Sequence, residues 1–150
     1  IHETLYQSQN LSAIDMNIYL SKLGHDVARN YRIGSQVNLK VEAENISIGA
    51  KQASPIGLII NELITNSFKY AFPVTEDGEI KINLQKTEDQ IELEYADNGI
   101  GMPEGLDWKN SDTLGLKLVR TLVENQLNGS INLESDNGTR FIIKFNINET

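Results

Sequence analysis

"IELEYADNGIGMP" (residues 91–103) is the stretch on which the fold turns. Its first half alternates, with Ile91, Leu93 and Tyr95 on one side and Glu92 and Glu94 on the other. That is the period of a half-buried strand. Asp97 then meets Asn98-Gly99, Ile100-Gly101 and Met102-Pro103. Two closely spaced glycines at a strand end read in two ways, as a plain turn or as backbone cleared for a ligand. The stretch alone leaves both open.

The rest of the chain narrows the choice. Its 150 residues fit one domain with one core, and 39% hydrophobic and 23% charged residues are ordinary for a globular protein. A net charge of −8 argues against a nucleic-acid partner, which would draw on clustered Lys and Arg. There is no cysteine, so disulfides and thiolate metal sites are absent, and His2 and His25 are too far apart for a zinc-site spacing. No apolar run approaches the roughly 20 residues of a membrane span, so no direct membrane contact is expected. No signal peptide is visible. The chain opens with Ile1 and not Met, as a segment of a longer protein would.

Outward from the opening stretch, the elements read in order. Met16, Leu20, Leu23, Val27 and Tyr31 share one face of a helix over 11–31, which Gly34 and Ser35 break. Residues 37–42 alternate as a strand, and Ile46 and Ile48 read as a short partner strand. Ser54 as N-cap and Pro55 at the first helical position open a second helix. Its apolar stripe is Ile56, Ile59, Ile60, Leu63 and Ile64, and it ends near Ala71, before Pro73. Strands at 79–86 and 90–96 flank the turn Glu88-Asp89. The stretch 97–112 reads as irregular. A third helix spans about 114–127, with Leu118, Val119, Leu122 and Val123 inward, and Asn128-Gly129 stops it. Strands at 130–135 and 139–147 flank Asp136-Asn137-Gly138. The order α-β-α-β-β-loop-α-β-β predicts a two-layer α/β (α+β) sandwich. Its sheet is mixed and mostly antiparallel, with the helices on one face.

The second helix also has a polar edge. At 100° per residue, Glu62, Asn66 and Lys69 lie within a stripe about 60° wide, beside the apolar stripe, and Asn61 points away from it. An acid, an amide and a cation on one edge are also what an ordinary solvated face carries.

Four stretches now come together: "NELITNSFKYAF" (61–72), "DNGIGMP" (97–103), "TLGLKLV" (113–119) and "NGTRFIIKF" (137–145). In this order they resemble the N, G1 and G2 boxes and the terminal Gly-Thr motif of the ATP-binding domain of sensor histidine kinases. That domain has the Bergerat fold of the GHKL superfamily, which includes gyrase, heat-shock protein 90 and MutL ATPases. The resemblance covers residues 52–147. Residues 2–23 further resemble the connecting segment of the subgroup whose phosphoacceptor domain differs from the commonest type. This implies a connecting segment and first helix over 1–30 and an ATP-binding catalytic domain over 31–150, one compact domain overall.

The resemblance also implies roles for single residues. Asp97 would accept a hydrogen bond from the adenine amino group. Gly99 and Gly101 would let the backbone approach the base and begin the lid, and Thr139 would add a hydroxyl at the same edge through water. Asn66 would bind Mg²⁺ through its side-chain oxygen, with ATP supplying phosphate oxygens. Glu62 would orient a metal-bound water or act as a base. Lys69 would meet a phosphate. Tyr70 has two readings, stacking near base or ribose and a core role. Gly115, with Thr113, Leu114 and Leu116 around it, would bind phosphates at the start of the third helix. Relatives often carry Gly-x-Gly here, and Thr113 stands in place of the first glycine. Trp108 in the short lid reads as an anchor, a cover or plain loop packing. His2 belongs to the connecting segment and is not the phosphate acceptor; His25 is structural or exposed.

The activity so implied is transfer of the ATP γ-phosphoryl group to a histidine on a dimerisation domain absent from this chain. A response-regulator receiver domain would be the onward partner, in the cytoplasm. The alternatives are a serine kinase of the anti-sigma-factor type, a nucleotide-binding module without catalysis, and an ATPase of the chaperone or topoisomerase type.

Overall fold

The protein is described from a computed structural model, which covers residues 13–31, 37–72, 77–101, 115–135 and 138–147. A short strand β1 (Ile14–Asp15) leads into helix α1 (Met16–Arg29). Strands β2 (Val37–Glu42) and β3 (Ser47–Ile48) follow, then helix α2 (Ala50–Asn66), which continues as one π-helical turn (Ser67–Ala71). The hairpin of β4 (Gly78–Thr87) and β5 (Gln90–Asp97) comes next. Helix α3 (Leu116–Thr121) also widens into a π-helical turn (Leu122–Gln126), and β6 (Ser130–Glu134) and β7 (Thr139–Asn146) complete the described elements.

Five strands form one sheet in the order β2-β4-β5-β7-β6. The pair β2–β4 is parallel and the other three are antiparallel. This is the mixed, mostly antiparallel sheet expected. One face is apolar: Ile80, Ile82 and Leu84 of β4, Ile91, Leu93 and Tyr95 of β5, and Phe141, Ile143 and Phe145 of β7 are all buried. The helices cover this face, and their Met16, Leu20, Ile56, Ile60, Leu63, Val119 and Val123 join the same hydrophobic cluster. The opposite face is polar. On it Arg140 bridges Glu94 and Glu134, and Lys144 approaches Glu92 at 3.7 Å.

Four sequence expectations change. The first helix begins at Met16 and not near residue 11, because Asp15 caps it by accepting from the Ile18 N–H at 3.1 Å. The short strand at Ser47–Ile48 pairs with Ile14–Asp15 and not with β2. Helix α2 starts a full turn before Ser54-Pro55, capped by Gly49, whose carbonyl accepts from Gln52 and Ala53. Gln52 secures this extra turn: its buried side chain donates to the Asn146 carbonyl of β7 at 2.8 Å. Leu118 points outward, 45% exposed, while Leu116, Val119, Leu122 and Val123 are buried. With Leu116 inward, Leu118 stands about 200° round the helix, on the opposite side.

Candidate functional site

Along β5 the inward series Ile91, Leu93, Tyr95 continues to Asp97, which is only 7% exposed. The strand's own alternation therefore delivers a carboxylate to the core face of the sheet, at the point where the chain leaves it. Burial of an ionised group requires hydrogen bonds, and three are present. Oδ1 accepts from the Gly99 N–H at 3.0 Å and from the Thr139 N–H at 3.3 Å, and Oδ2 accepts from the Ser67 hydroxyl at 2.6 Å. A carboxylate has about four acceptor positions, so one direction at Oδ2 stays open. Thr139 is in place because it lies directly opposite Asp97 in the β5–β7 register. Asn98 turns the other way and closes the end of β4: its N–H donates to the Glu79 carbonyl, and its side-chain oxygen accepts from the Glu79 N–H at 2.8 Å.

Ser67 and Tyr95 back this arrangement. The two hydroxyl oxygens are 2.7 Å apart, and the Tyr95 hydroxyl also donates to the Leu63 carbonyl at 3.1 Å. Tyr95 is buried, and that burial pushes its phenol well above 10.0. The Ser67 hydrogen bond opposes the shift, and the Asp97 charge adds to it.

These groups line a cleft open to solvent, together with Leu63, Asn66, Tyr70, Ala71, Gly101, Thr139 and Phe141. Of the residues singled out in the sequence, Asn66, Tyr70, Asp97, Gly101 and Thr139 thus meet around one space. Tyr70 lines the cleft and is 54% exposed, so it is not a core residue. Gly99 sits behind the cleft. A Cβ there would come within 2.6 Å of the Ala71 carbonyl oxygen, so its close neighbour is the π-helical turn.

Glu62 and Asn66 face the start of α3. Gly115 has φ +68°, and a side chain on it would strike the Glu62 carboxylate and come to 3.8 Å from the Asn66 amide nitrogen. Glycine meets both demands there, the left-handed backbone and the close approach. Leu116 is fully buried and anchors α3. Lys69 is exposed and does not line the cleft. The helical count that grouped it with Glu62 and Asn66 fails after Asn66, where the helix opens to i→i+5 bonding and Phe72 N–H reaches the Ser67 carbonyl at 3.1 Å. Thr113, Leu114, Trp108 and His2 lie outside the described residues. His25 is exposed and donates from Nδ1 to the Ser21 carbonyl at 2.7 Å, a local structural contact.

Sequence reading missed Ser67 and Tyr95. Both carried a signal. Ser67 continues the stripe of Leu63 and Ile64 by helical spacing, a small hydroxyl on an apolar face. Tyr95 is two residues before Asp97 and so shares its side of the strand.

No group of three or more His, Cys, Asp or Glu among the described residues could hold a metal ion. That is compatible with Mg²⁺, which is usually held by one or two protein groups plus substrate phosphates and waters. Asn66, which faces the Gly115 turn together with Glu62, carries a side-chain oxygen of that kind.

The fold and the cleft define a nucleotide-binding domain of the ATPase type. The family described as "Histidine kinase-, DNA gyrase B-, and HSP90-like ATPase" matches residues 51–149, and the chain belongs to it. Among relatives, the chain is 30% identical over 100 residues to the sensor histidine kinase PdtaS of Mycobacterium tuberculosis, 65% of this chain and 20% of that protein. It is 26% identical over 154 residues to blue-light-activated histidine kinase 2 of Erythrobacter litoralis, 97% of this chain and 44% of that protein. The solved histidine kinase domain of an Erythrobacter litoralis blue-light-activated kinase superposes with a TM-score of 0.78 at 25% identity, covering 96% of this chain and 70% of that one. The serine-protein kinase RsbW of Listeria innocua is 30% identical over 106 residues, 61% of this chain and 64% of that protein. The chain thus spans a fifth to under half of the sensor kinases it matches. The resemblance carried by the four motifs is borne out. The chain is a homologue of histidine kinase ATPase catalytic domains, and ATP binding follows from that membership.

Proposed function

We propose that this chain is the Mg-ATP-binding catalytic domain of a two-component sensor histidine kinase. In this reading residues 31–150 are the ATP-binding unit and 1–30 the connecting segment. The γ-phosphoryl group passes to an imidazole nitrogen on a dimerisation domain outside this chain, leaving ADP, and then to an aspartate of a response regulator. The reading keeps the domain in the cytoplasm.

One observation supports it above the others: Asp97 is held by three hydrogen bonds with one acceptor direction left at the cleft. An acceptor-only group suits the adenine amino group and repels the carbonyl that guanine presents there. Tyr70 flanks base or ribose. Asn66 would ligate Mg²⁺, and Glu62 beside it would orient a water or take a proton. The Mg²⁺ would neutralise charge on the phosphates. Gly115 and the residues around it, Thr113, Leu114 and Leu116, would offer backbone N–H groups to the phosphates. Lys69 would reach them from the rim of the cleft as a mobile point charge.

The test is calorimetric binding of ATP and GTP with Mg²⁺. ATP is expected to bind selectively. Asp97→Asn should weaken it by roughly 10- to 100-fold, the worth of a buried hydrogen bond to a charged group. Equal affinity for GTP in the native chain would refute the role of Asp97. Undiminished Mg-ATP binding in Asn66→Ala would refute the metal role.

A serine kinase is the second reading, favoured by the match to RsbW over 64% of that protein. The two separate by product. Phosphate delivered to a supplied histidine-bearing helical domain is acid-labile, whereas phosphoserine on a partner protein survives acid.

A further inference from the structure

The hydroxyl pair behind Asp97 has too few hydrogens for its acceptors, and that fixes its direction. Ser67 and Tyr95 each carry one. Three acceptors compete: Asp97 Oδ2 at 2.6 Å from Ser67, Ser67 Oγ at 2.7 Å from Tyr95, and the Leu63 carbonyl at 3.1 Å from Tyr95. The carboxylate only accepts, so the Ser67 hydrogen goes to Asp97, and the Tyr95 hydrogen is shared between Ser67 Oγ and the Leu63 carbonyl. The Leu63 carbonyl matters because it lies four residues before Ser67, the usual target of a helical serine's own hydroxyl. Tyr95 occupies that target and also donates to the Ser67 oxygen. With the carboxylate drawing its hydrogen and Tyr95 occupying its other target, Ser67 is held pointing at Asp97 at the edge of the cleft it lines.

We propose that Tyr95 is a specificity-determining residue acting through Ser67. It keeps the Asp97 end of the cleft acceptor-only, so a purine with an amino group there is admitted and one with a carbonyl oxygen is refused. The proposal rests on Asp97 as the reader of the base. Tyr95 acts as a positioning residue, one side chain removed from the ligand. Its phenol, protonated at neutral pH like any tyrosine and raised further by burial, is a donor throughout that range.

Three variants test this by calorimetry with Mg-ATP and Mg-GTP. In Tyr95→Phe the Ser67 oxygen loses its donor, which loosens the hydroxyl's own bond to Asp97, and a carbonyl oxygen on the ligand can then compete for the Ser67 hydrogen. The ratio of ATP to GTP affinity is expected to fall about tenfold, the worth of one hydrogen bond, with GTP gaining and ATP changing least. In Ser67→Ala no hydroxyl is left to donate. ATP weakens but discrimination against GTP is kept. The double variant should behave as Ser67→Ala. A packing role for Tyr95 would instead weaken both nucleotides in parallel, and that result overturns the proposal, as does a double variant as relaxed as Tyr95→Phe. A native chain that does not distinguish ATP from GTP overturns the role of Asp97 and this proposal together. A native chain that does distinguish them, with the ratio unchanged in Tyr95→Phe, overturns this proposal alone.

Discussion

At the residue scale, Tyr95 ties the site to the stability of the chain. Its phenol is raised well above 10.0, chiefly by burial. In the folded chain it therefore keeps its proton at a pH where the unfolded chain has lost it. The unfolded state then binds fewer protons, so stability falls as pH rises, beginning near the unfolded value and continuing until the folded phenol ionises. One such proton gives a slope of at most about 1.4 kcal/mol per pH unit. Chemical unfolding followed from pH 8 to 11 should show this loss, and Tyr95→Phe should show less of it. Some slope should remain from Tyr19, which burial also raises. An identical slope in Tyr95→Phe would mean that Tyr95 is not the group responsible. The same residue shows what sequence conveys about a site. Asp97 and its glycines were legible because a carboxylate at the end of an alternating strand is a local pattern. The donors that hold Asp97 were harder to see: Ser67 comes from a helix thirty positions earlier and the Thr139 N–H from a strand forty-two positions later. Pairings of that length leave no trace in local periodicity.

At the scale of elements, α2 carries most of the chemistry; its start departed from expectation, and its end falls at Ala71 as expected but as a π-helical turn. The Ser54-Pro55 pair has the composition of a helix start, yet the helix begins at Ala50. Pro55 gives up its bond to the Lys51 carbonyl, and a tertiary contact stabilises the turn before it, through Gln52 and the Asn146 carbonyl at 2.8 Å. Propensity reports the local preference, and a contact ninety-four positions away outweighs it. Gln52→Ala should therefore cost about 1 kcal/mol in chemical denaturation and speed amide exchange at Gln52 and Ala53, while leaving Ile59 to Leu63 protected. Unchanged exchange at Gln52 and Ala53 would show that the extra turn stands without that anchor. At the other end, the π-helical turn from Ser67 places Ser67 against Asp97 and leaves Tyr70 along the cleft. A count at 100° per residue reaches Asn66 correctly and misplaces Lys69 beyond it.

At the scale of the whole molecule, the hairpins Gly78–Asp97 and Ser130–Asn146 and the polar outer face of the sheet followed from alternation and turn residues. The parallel pairing of β2 with β4 and the small β1–β3 ladder did not, because alternation reports a strand's two faces and never its neighbour. The same limit bears on where the folding unit begins. Family motifs start at residue 51, and the resemblance set a boundary at 31, but α1 sits in the core shared by every layer. Met16 and Leu20 are fully buried, Ala28 is nearly so, and Tyr31 stacks on Phe68 of the π-helical turn with ring centroids 5.4 Å apart. Removing Met16 and Leu20 forfeits about 1.5–3 kcal/mol each and bares the apolar surface of α2 beneath them. Against a total of about 5–15 kcal/mol for a domain, that is a large share. A chain cut to 31–150 should therefore melt at least roughly 10 °C below the full chain and bind ATP more weakly, since Phe68 lies next to Ser67. Thermal unfolding of the two chains, each with and without Mg-ATP, decides the matter. Equal melting temperatures for 31–150 and 1–150 would mean that α1 is a connector resting on the domain, and the opposite result would make it the first structural element of the ATP-binding unit.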